Sequence, residues 1–462
     1  MSKKALLAVL MAMILLLSSC ALVVKDEKVD NATVILQMGD KTITKEKVKE
    51  ETQNQLDSMA YMYSLYGYSY DTTDPDNIAQ AQEDAIDALK NDMVLSAKAA
   101  ELGLDVLTDE EKETAQTKAQ EGYDSALSYV KQYMLTDTEG MDEDALATAA
   151  ADKLTELKVS LDSYLESETK TIIDDKLREY IVKDVAVTYE EIQTEYDSKV
   201  EADKATYADA AGKWATAANN GTTLYYAPAG VRRVKQILTK FHDEDQTAID
   251  DAKAQVTAAN TAITTAQAKI DAAQETLDLE GDTDEIKEAK EKAQADKDTA
   301  TDELTVAQAA LEAANKAVED ATNKAFENLD AETDEILASL AAEGADWQAI
   351  MDEKNQDPGM KSNEKGYAVA ADMTNFDSAF VEAAMALEKP GDISGKVKGT
   401  SYGYYIIRYE SDEAEGPVAL DEVKEGISSS LLSTKQTETY NATVKQWVEE
   451  AGIKVDLNAL KD

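Results

Sequence analysis

Histidine and cysteine, the side chains most used for metal centres and for acid–base work near neutral pH, are nearly absent from this 462-residue chain. It holds one histidine, His242, and one cysteine, Cys20. A His/Cys metal centre draws three or four such ligands together, so none is expected. GTSYG (399–403) spells the G-x-S-x-G pattern of a nucleophile turn. That turn needs a strand before the serine and a helix after it. Here an apolar, strand-like run follows, and only His242 exists to act as base, so hydrolase chemistry is not expected. The acidic run 278–285 lacks the alternating ligands and distal Glu of a calcium loop and reads as a solvated turn. His242 itself reads as an exposed residue at the entrance to a helical hairpin. YMYSLYGYSY (61–70) holds five tyrosines. Tyrosine offers apolar area with a polar handle, which fits either a binding surface or a partly buried helix-to-loop junction.

The N-terminal residues read as a targeting segment. Lys3 and Lys4 precede a 13-residue apolar run over 5–17, ending in LSSC (17–20). The run is short of the roughly 20 residues a membrane span needs. LSSC resembles a bacterial lipobox, with cleavage before Cys20 and lipidation on it. That division gives a signal peptide over 1–19 and a polar tether over 20–31. It places the mature chain on the extracytoplasmic face of the cell membrane, anchored by lipid. With Cys20 lipidated, no intrachain disulfide can form.

Lys and Arg number 46 against 93 Asp and Glu, a net charge of −47. Nucleic-acid binding needs a basic face, so nucleic acid is not expected as a partner. Strong acidity favours solubility and attracts cations or basic unfolded chains.

The elements that must position any site are mostly helical. Residues 32–56 read as two short strands and a helix with Thr44 as N-cap. A helix over 78–103 ends at Gly103, a typical residue just past a helix end. Thr108 with Glu111, and Thr188 with Glu191, are capping boxes. VRRVKQILTKF (231–241) reads as a strand. From Ile249 to Leu277, apolar residues recur at 3-4 spacing, with Ala at every second position. A second seam runs from Ile286 to Ala321. Two arrangements fit: an antiparallel helical hairpin turning at 278–285, or one continuous coiled-coil arm that dimerises, which requires Gly281 to be helical. Then follow an amphipathic helix (334–351) interrupted at Gly344, a Pro/Gly loop (357–367), a short helix (376–392), a strand (GYYIIRYE), a long helix (420–452) and a short closing strand.

VKQIL (234–238), NQDPG (355–359), FVEAAMALEKPGDISGKV (380–397) and YGYYIIRY (402–409) together resemble the parvulin-type peptidyl-prolyl isomerases. The flanks, MGDKTITKEKVKEE and ELGLDVLTDEE, resemble the N-terminal chaperone domain of SurA and PrsA-type foldases. With the lipobox, the whole chain is most similar to the PrsA-type foldase lipoproteins. The resemblance implies a mostly α fold with a small α+β domain. A helical chaperone domain spans 32–200 and is completed by 418–462. A parvulin-like antiparallel sheet with helices spans 231–241 plus 326–412, interrupted by a helical hairpin at 245–325.

The resemblance also implies peptidyl-prolyl isomerase activity, with no cofactor and no metal, on unfolded or newly secreted polypeptides. An X–Pro amide rotates slowly because resonance stiffens it. Catalysis needs a dry apolar cup for the prolyl ring and groups that favour the twisted amide. By resemblance, Gln236, Asp357 and Tyr405 are the catalytic positions, and Phe376, Phe380 and Met385 contact substrate. Gln236 and Tyr405 occupy the two slots where the family carries histidine. Both can hydrogen-bond, but neither titrates near neutral pH as imidazole does. Two other functions fit the sequence: a holdase with an inert parvulin-like domain, and a structural surface lipoprotein that assembles through its arm.

Overall fold

A computed structural model describes residues 27–136, 138 and 140–460. The signal peptide and Cys20 lie outside the described residues. The chain is mostly helical, with strands β1 (Val34–Met38), β2 (Lys41–Thr44), β3 (Tyr226–Ala227), β4 (Arg232–Lys240), β5 (Tyr367–Val369), β6 (Val397–Lys398), β7 (Gly403–Asp412), β8 (Gly416–Pro417) and β9 (Lys454–Val455). The described residues divide into two compact units, one up to Val187 and again from Ser429 onward, the other Thr188–Ser428.

In the first unit, β1 lies between β2 and β9, all antiparallel. Ile35 and Leu36 pack with Val48, Ile86, Leu89, Met93 and Leu460 in a small core. Residues 27–31, read from the sequence as tether, form a turn of helix. The helix Pro75–Leu102 is capped by Asp74, whose carboxylate accepts from the backbone N–H of Asp76 and Asn77, and stops at Gly103 with φ of 69°. Thr108 and Glu111 form the expected capping box at the helix Asp109–Tyr129. Thr44 caps the helix Lys45–Leu65 without a side-chain hydrogen bond.

The second unit centres on a four-stranded antiparallel sheet ordered β5-β4-β7-β6. Alternation along β4 and β7 splits their side chains between two faces. Val234, Leu238, Tyr405 and Ile407 face one core with Trp214, Phe380 and Val381. Ile237 and Ile406 face a second core with Ile336, Trp347 and Met351. Phe241, Phe326, Leu329 and Tyr404 form a third, at the base of the arm.

The arm consists of the helices Asp243–Leu277 and Asp284–Leu340. They run antiparallel, cross-linked by Asp245–Asn328 (2.8 Å), Lys269–Glu303 (2.7 Å) and Gln274–Lys297 (2.6 Å). Gly281 sits at the turn with φ of 130°, where a Cβ would lie 2.5 Å from Ile286 Cδ1. That conformation is closed to a helix, so the continuous arm is excluded. The small residues are the buried ones: Ala252, Ala259, Ala266 and Ala273 on one helix, Ala293, Ala300, Ala307 and Ala314 on the other. The larger Val256, Ile263 and Ile270 are half-buried beside them.

One expectation fails here. The sequence suggested that the arm ends near 325 and a separate helix starts at 334. Instead one helix of 57 residues runs from Asp284 to Leu340. No proline or glycine interrupts it, so the same helix serves the arm at one end and the sheet at the other.

Candidate functional site

β4 carries Gln236 and Leu238 to one face of the sheet, paired across from Ile407 and Tyr405 of β7. The loop 355–357 runs along the edge of β4 beyond β5, Gln356 N–H donating to the Leu238 carbonyl at 3.0 Å. Asn355 anchors it, its Oδ1 accepting from the Leu238 N–H at 2.9 Å. Asp357 caps the one-turn helix Pro358–Lys361 by accepting from Gly359 N–H. Its other oxygen accepts from Gln236 Nε2 at 2.7 Å and from the Tyr367 hydroxyl at 2.9 Å. A carboxylate fixes the orientation of the Gln236 amide, because only its NH₂ can donate. Gln236 is 6 % exposed, and its Oε1 is buried with no hydrogen-bond partner.

A second carboxylate mirrors the first. Asp377 caps the helix Ser378–Ala386 through Ala379 N–H. Its Oδ2 accepts from Thr400 N–H at 2.7 Å and from the Tyr405 hydroxyl at 3.2 Å. Between the two polar groups runs an arc of rings. Tyr367 meets Phe376 at 5.2 Å between centroids, Phe376 meets Phe380 at 5.8 Å, and Phe380 meets Tyr405 at 5.3 Å. Together with Leu238, Lys240, Asn375 and Tyr402 these residues enclose a cavity of about 270 Å³. It has an apolar floor and convergent polar groups, the usual make-up of a small-ligand site.

The structure thus brings Gln236, Asp357, Phe376, Phe380 and Tyr405 round one cavity. It does not bring Met385 there. Met385 lies at the end of its helix, half-buried against the core. Its carbonyl accepts from Arg232 Nη1 at 2.8 Å. Nor does His242 approach the site: it precedes the arm, 54 % exposed, 3.5 Å from Asp245. The GTSYG motif is the tight link between β6 and β7. Gly403 has φ of 137°, and a Cβ there would collide with the Thr239 carbonyl oxygen. Its glycines serve the backbone.

Tyr367 and Asp377 were not singled out from the sequence. Asp377 had a local signal, an Asp just ahead of a helix start. Tyr367 had only its place at the end of the Pro/Gly loop.

Burial, then the contact with Asp357, pushes the Tyr367 hydroxyl well above the ordinary tyrosine range. Burial, then the charge of Asp377, does the same to Tyr405. Tyr404, on the opposite face, is pushed up to about 12 by burial and its bond to Asp330. All three stay protonated donors at neutral pH. A group whose folded pKa is raised contributes stability that is complete below its unfolded value and lost as pH rises toward the folded one. The second unit is therefore expected to hold constant stability through neutral pH and to lose it above about pH 10. Urea melts followed by Trp214 and Trp347 fluorescence at rising pH check this.

No family model matches the chain. A 112-residue stretch is 36% identical to the foldase protein PrsA of Clostridium botulinum. The chain is similar to the PrsA-type foldases. The match covers 24% of this chain and 32% of that relative. Foldase protein PrsA 2 of Listeria innocua is 33% identical over 121 residues, 26% of this chain and 40% of the relative. The chain thus spans about a third of the length of the PrsA relatives it matches. Among solved structures, PrsA of Streptococcus pneumoniae aligns over 93% of this chain and 97% of its own, at 14% identity and a TM-score of 0.21. A SurA-like chaperone of Campylobacter jejuni aligns over 72% and 95%, at 14% identity and 0.24.

Proposed function

We propose that this chain is an extracytoplasmic foldase, which holds secreted polypeptides as they emerge and turns over their prolyl bonds in the cavity of the second unit. The observation that supports it is the assembly of Gln236, Asp357, Phe376, Phe380 and Tyr405 round one apolar hollow, from segments far apart in the chain. In this reading the prolyl ring rests on Leu238, Phe376 and Phe380. The planar amide carries more charge separation than the twisted one. A dry hollow therefore favours the twist, and the hydroxyl and carboxylate groups at its rim orient the peptide. Gln236 and Tyr405 hold the two carboxylates in place. The anchor at Cys20, the extracytoplasmic location, and the division into a chaperone domain (32–200 with 418–462), an isomerase domain (231–241 with 326–412) and a hairpin insertion (245–325) belong to the same proposal. No helix among the described residues is long and apolar enough to cross a membrane.

Proline-limited refolding of a reporter protein tests the reading. The full chain is expected to speed the slow phase. The rate should stay flat between about pH 6 and 9, because neither slot holds an imidazole. A chain that suppresses aggregation but leaves the slow phase unchanged would be a holdase with an inert isomerase domain. The replacement of both family histidines by Gln236 and Tyr405 is what favours that second reading.

A further inference from the structure

The tyrosine-rich segment 61–70 lies at the end of the helix Lys45–Leu65 and in the turn beyond it. This helix-to-turn junction is solvent-exposed and not partly buried. Tyr61, Tyr66 and Tyr68 are 67, 76 and 69 % exposed, and Leu65 is 65 % exposed. Met62 and Tyr63 are also exposed. The turn is ordered by its own backbone, with Tyr68 N–H donating to the Tyr63 carbonyl at 3.0 Å. The Tyr63 and Tyr70 rings meet at a tilt of 55°, with centroids 5.1 Å apart. A preformed cluster of rings offers contact area at little entropic cost.

The charge around the cluster identifies what it suits. Between Lys49 and Lys90 the sequence has no Lys or Arg, and it has nine Asp and Glu. The last turn of the helix holds no basic residue, so its negative dipole end is uncompensated. Among the described residues no cation of the chain lies over any ring of the cluster. Elsewhere in the same unit the fold makes that contact, with the Arg178 guanidinium 4.7 Å from the Tyr440 ring centroid. Exposed rings in a field of negative charge attract Lys and Arg, whose aliphatic stems also cover apolar surface. The same acidity repels an anionic bilayer, which would otherwise suit interfacial tyrosines.

We propose that Tyr61, Met62, Tyr63, Leu65, Tyr66 and Tyr68 form a docking surface for extended, cationic polypeptide segments with interspersed apolar residues. The surface extends the chaperone part of the proposed function. It does not require the cavity at Asp357 to be an isomerase, and its test is kept separate from that cavity by a proline-free probe. The probe is a labelled, unstructured peptide of Lys, Leu and Ser, titrated by fluorescence anisotropy into the full chain. Its counterpart has every Lys replaced by Glu. The Lys peptide is expected to bind, more weakly as salt rises, and the Glu peptide not to bind. The combined variant Tyr61→Ser, Tyr63→Ser, Tyr66→Ser, Tyr68→Ser should weaken binding about tenfold or more. The variant Asp57→Lys with Asp76→Lys, which leaves the rings in place, should also weaken it. Both variants change exposed side chains, and circular dichroism verifies their fold. Equal binding of the two peptides, or unchanged affinity in both variants, overturns the proposal. So does ring-dependent binding to phosphatidylglycerol vesicles in place of the Lys peptide, which would make this a membrane surface. Prolyl isomerisation by the variants should match the parent. A chain that binds the Lys peptide through the rings but shows no isomerase activity leaves this surface standing and removes only the catalytic part of the proposed function.

Discussion

Phe380→Ala is expected to destabilise the second unit by about 3–5 kcal/mol and to abolish prolyl binding in the cavity. Phe380 is 3 % exposed and touches both Phe376 and Tyr405 by its ring. Removing it opens the floor of the cavity and withdraws the support of two neighbouring rings together. Gln236→Ala is expected to do less. It loses a charge-assisted bond to Asp357, worth about 1.5–3 kcal/mol. It also removes Oε1, a buried acceptor without a partner, and that offsets part of the loss. Tyr367 and Gly359 still hold the Asp357 carboxylate. Urea melts give the two stabilities. Refolding assays in conditions where both variants remain folded give the two activities. Equal or reversed losses would mean that the ring does not form the seat of the prolyl group.

The second large effect is expected in the arm. The cross-links between its helices set a register that places Ala266 opposite Ala307. Both are nearly fully buried, and their size sets how closely the backbones approach. Ala266→Leu with Ala307→Leu would force them apart, at about 1–3 kcal/mol for each added side chain. Hydrogen exchange is the measurement: protection should fall along residues 250–320 and remain unchanged in the sheet residues 232–240 and 403–410. Loss of protection throughout the second unit would instead mean that arm and sheet unfold as one. A leucine exchange at Ile263 and Ile270, which are half-buried, is expected to be nearly silent.

How far the fold was legible follows from how local each signal is. The capping boxes at Thr108 and Thr188, the Gly103 stop and the Ala periodicity of the arm each lie within a few residues, and each stands where the pattern puts it. The arm's continuation to Leu340 was missed because its apolar pattern changes where the partner changes from helix to sheet, while the backbone continues. Of the cavity, Asp357, Phe376, Phe380, Gln236 and Tyr405 were reached through resemblance. Tyr367 escaped because its role arises from pairing with Val234, more than a hundred residues away. Asp377 carried a local signal, an Asp just ahead of a helix start, that was not singled out. Its second oxygen, bound to Thr400 and Tyr405, depends on a turn made only when β6 and β7 meet. Met385 shares a helix with Phe380, but their five-residue separation turns it well away from that ring's direction, since only three- and four-residue spacings share a face.

The arm also bears on how the sheet can assemble. β4 is separated from every strand it pairs with by more than a hundred residues, a separation that would ordinarily slow nucleation. Yet the hairpin returns the chain to its starting point, where Phe241 and Phe326 lie 4.9 Å apart between ring centroids. Its helices depend on near-neighbour contacts and need nothing from the sheet to zip together. Once zipped, they leave β4 and the residues after 326 tethered as closely as a short connection would. An arm that zips from its turn would bear the entropy of closing that loop step by step, ahead of the first long-range strand pair.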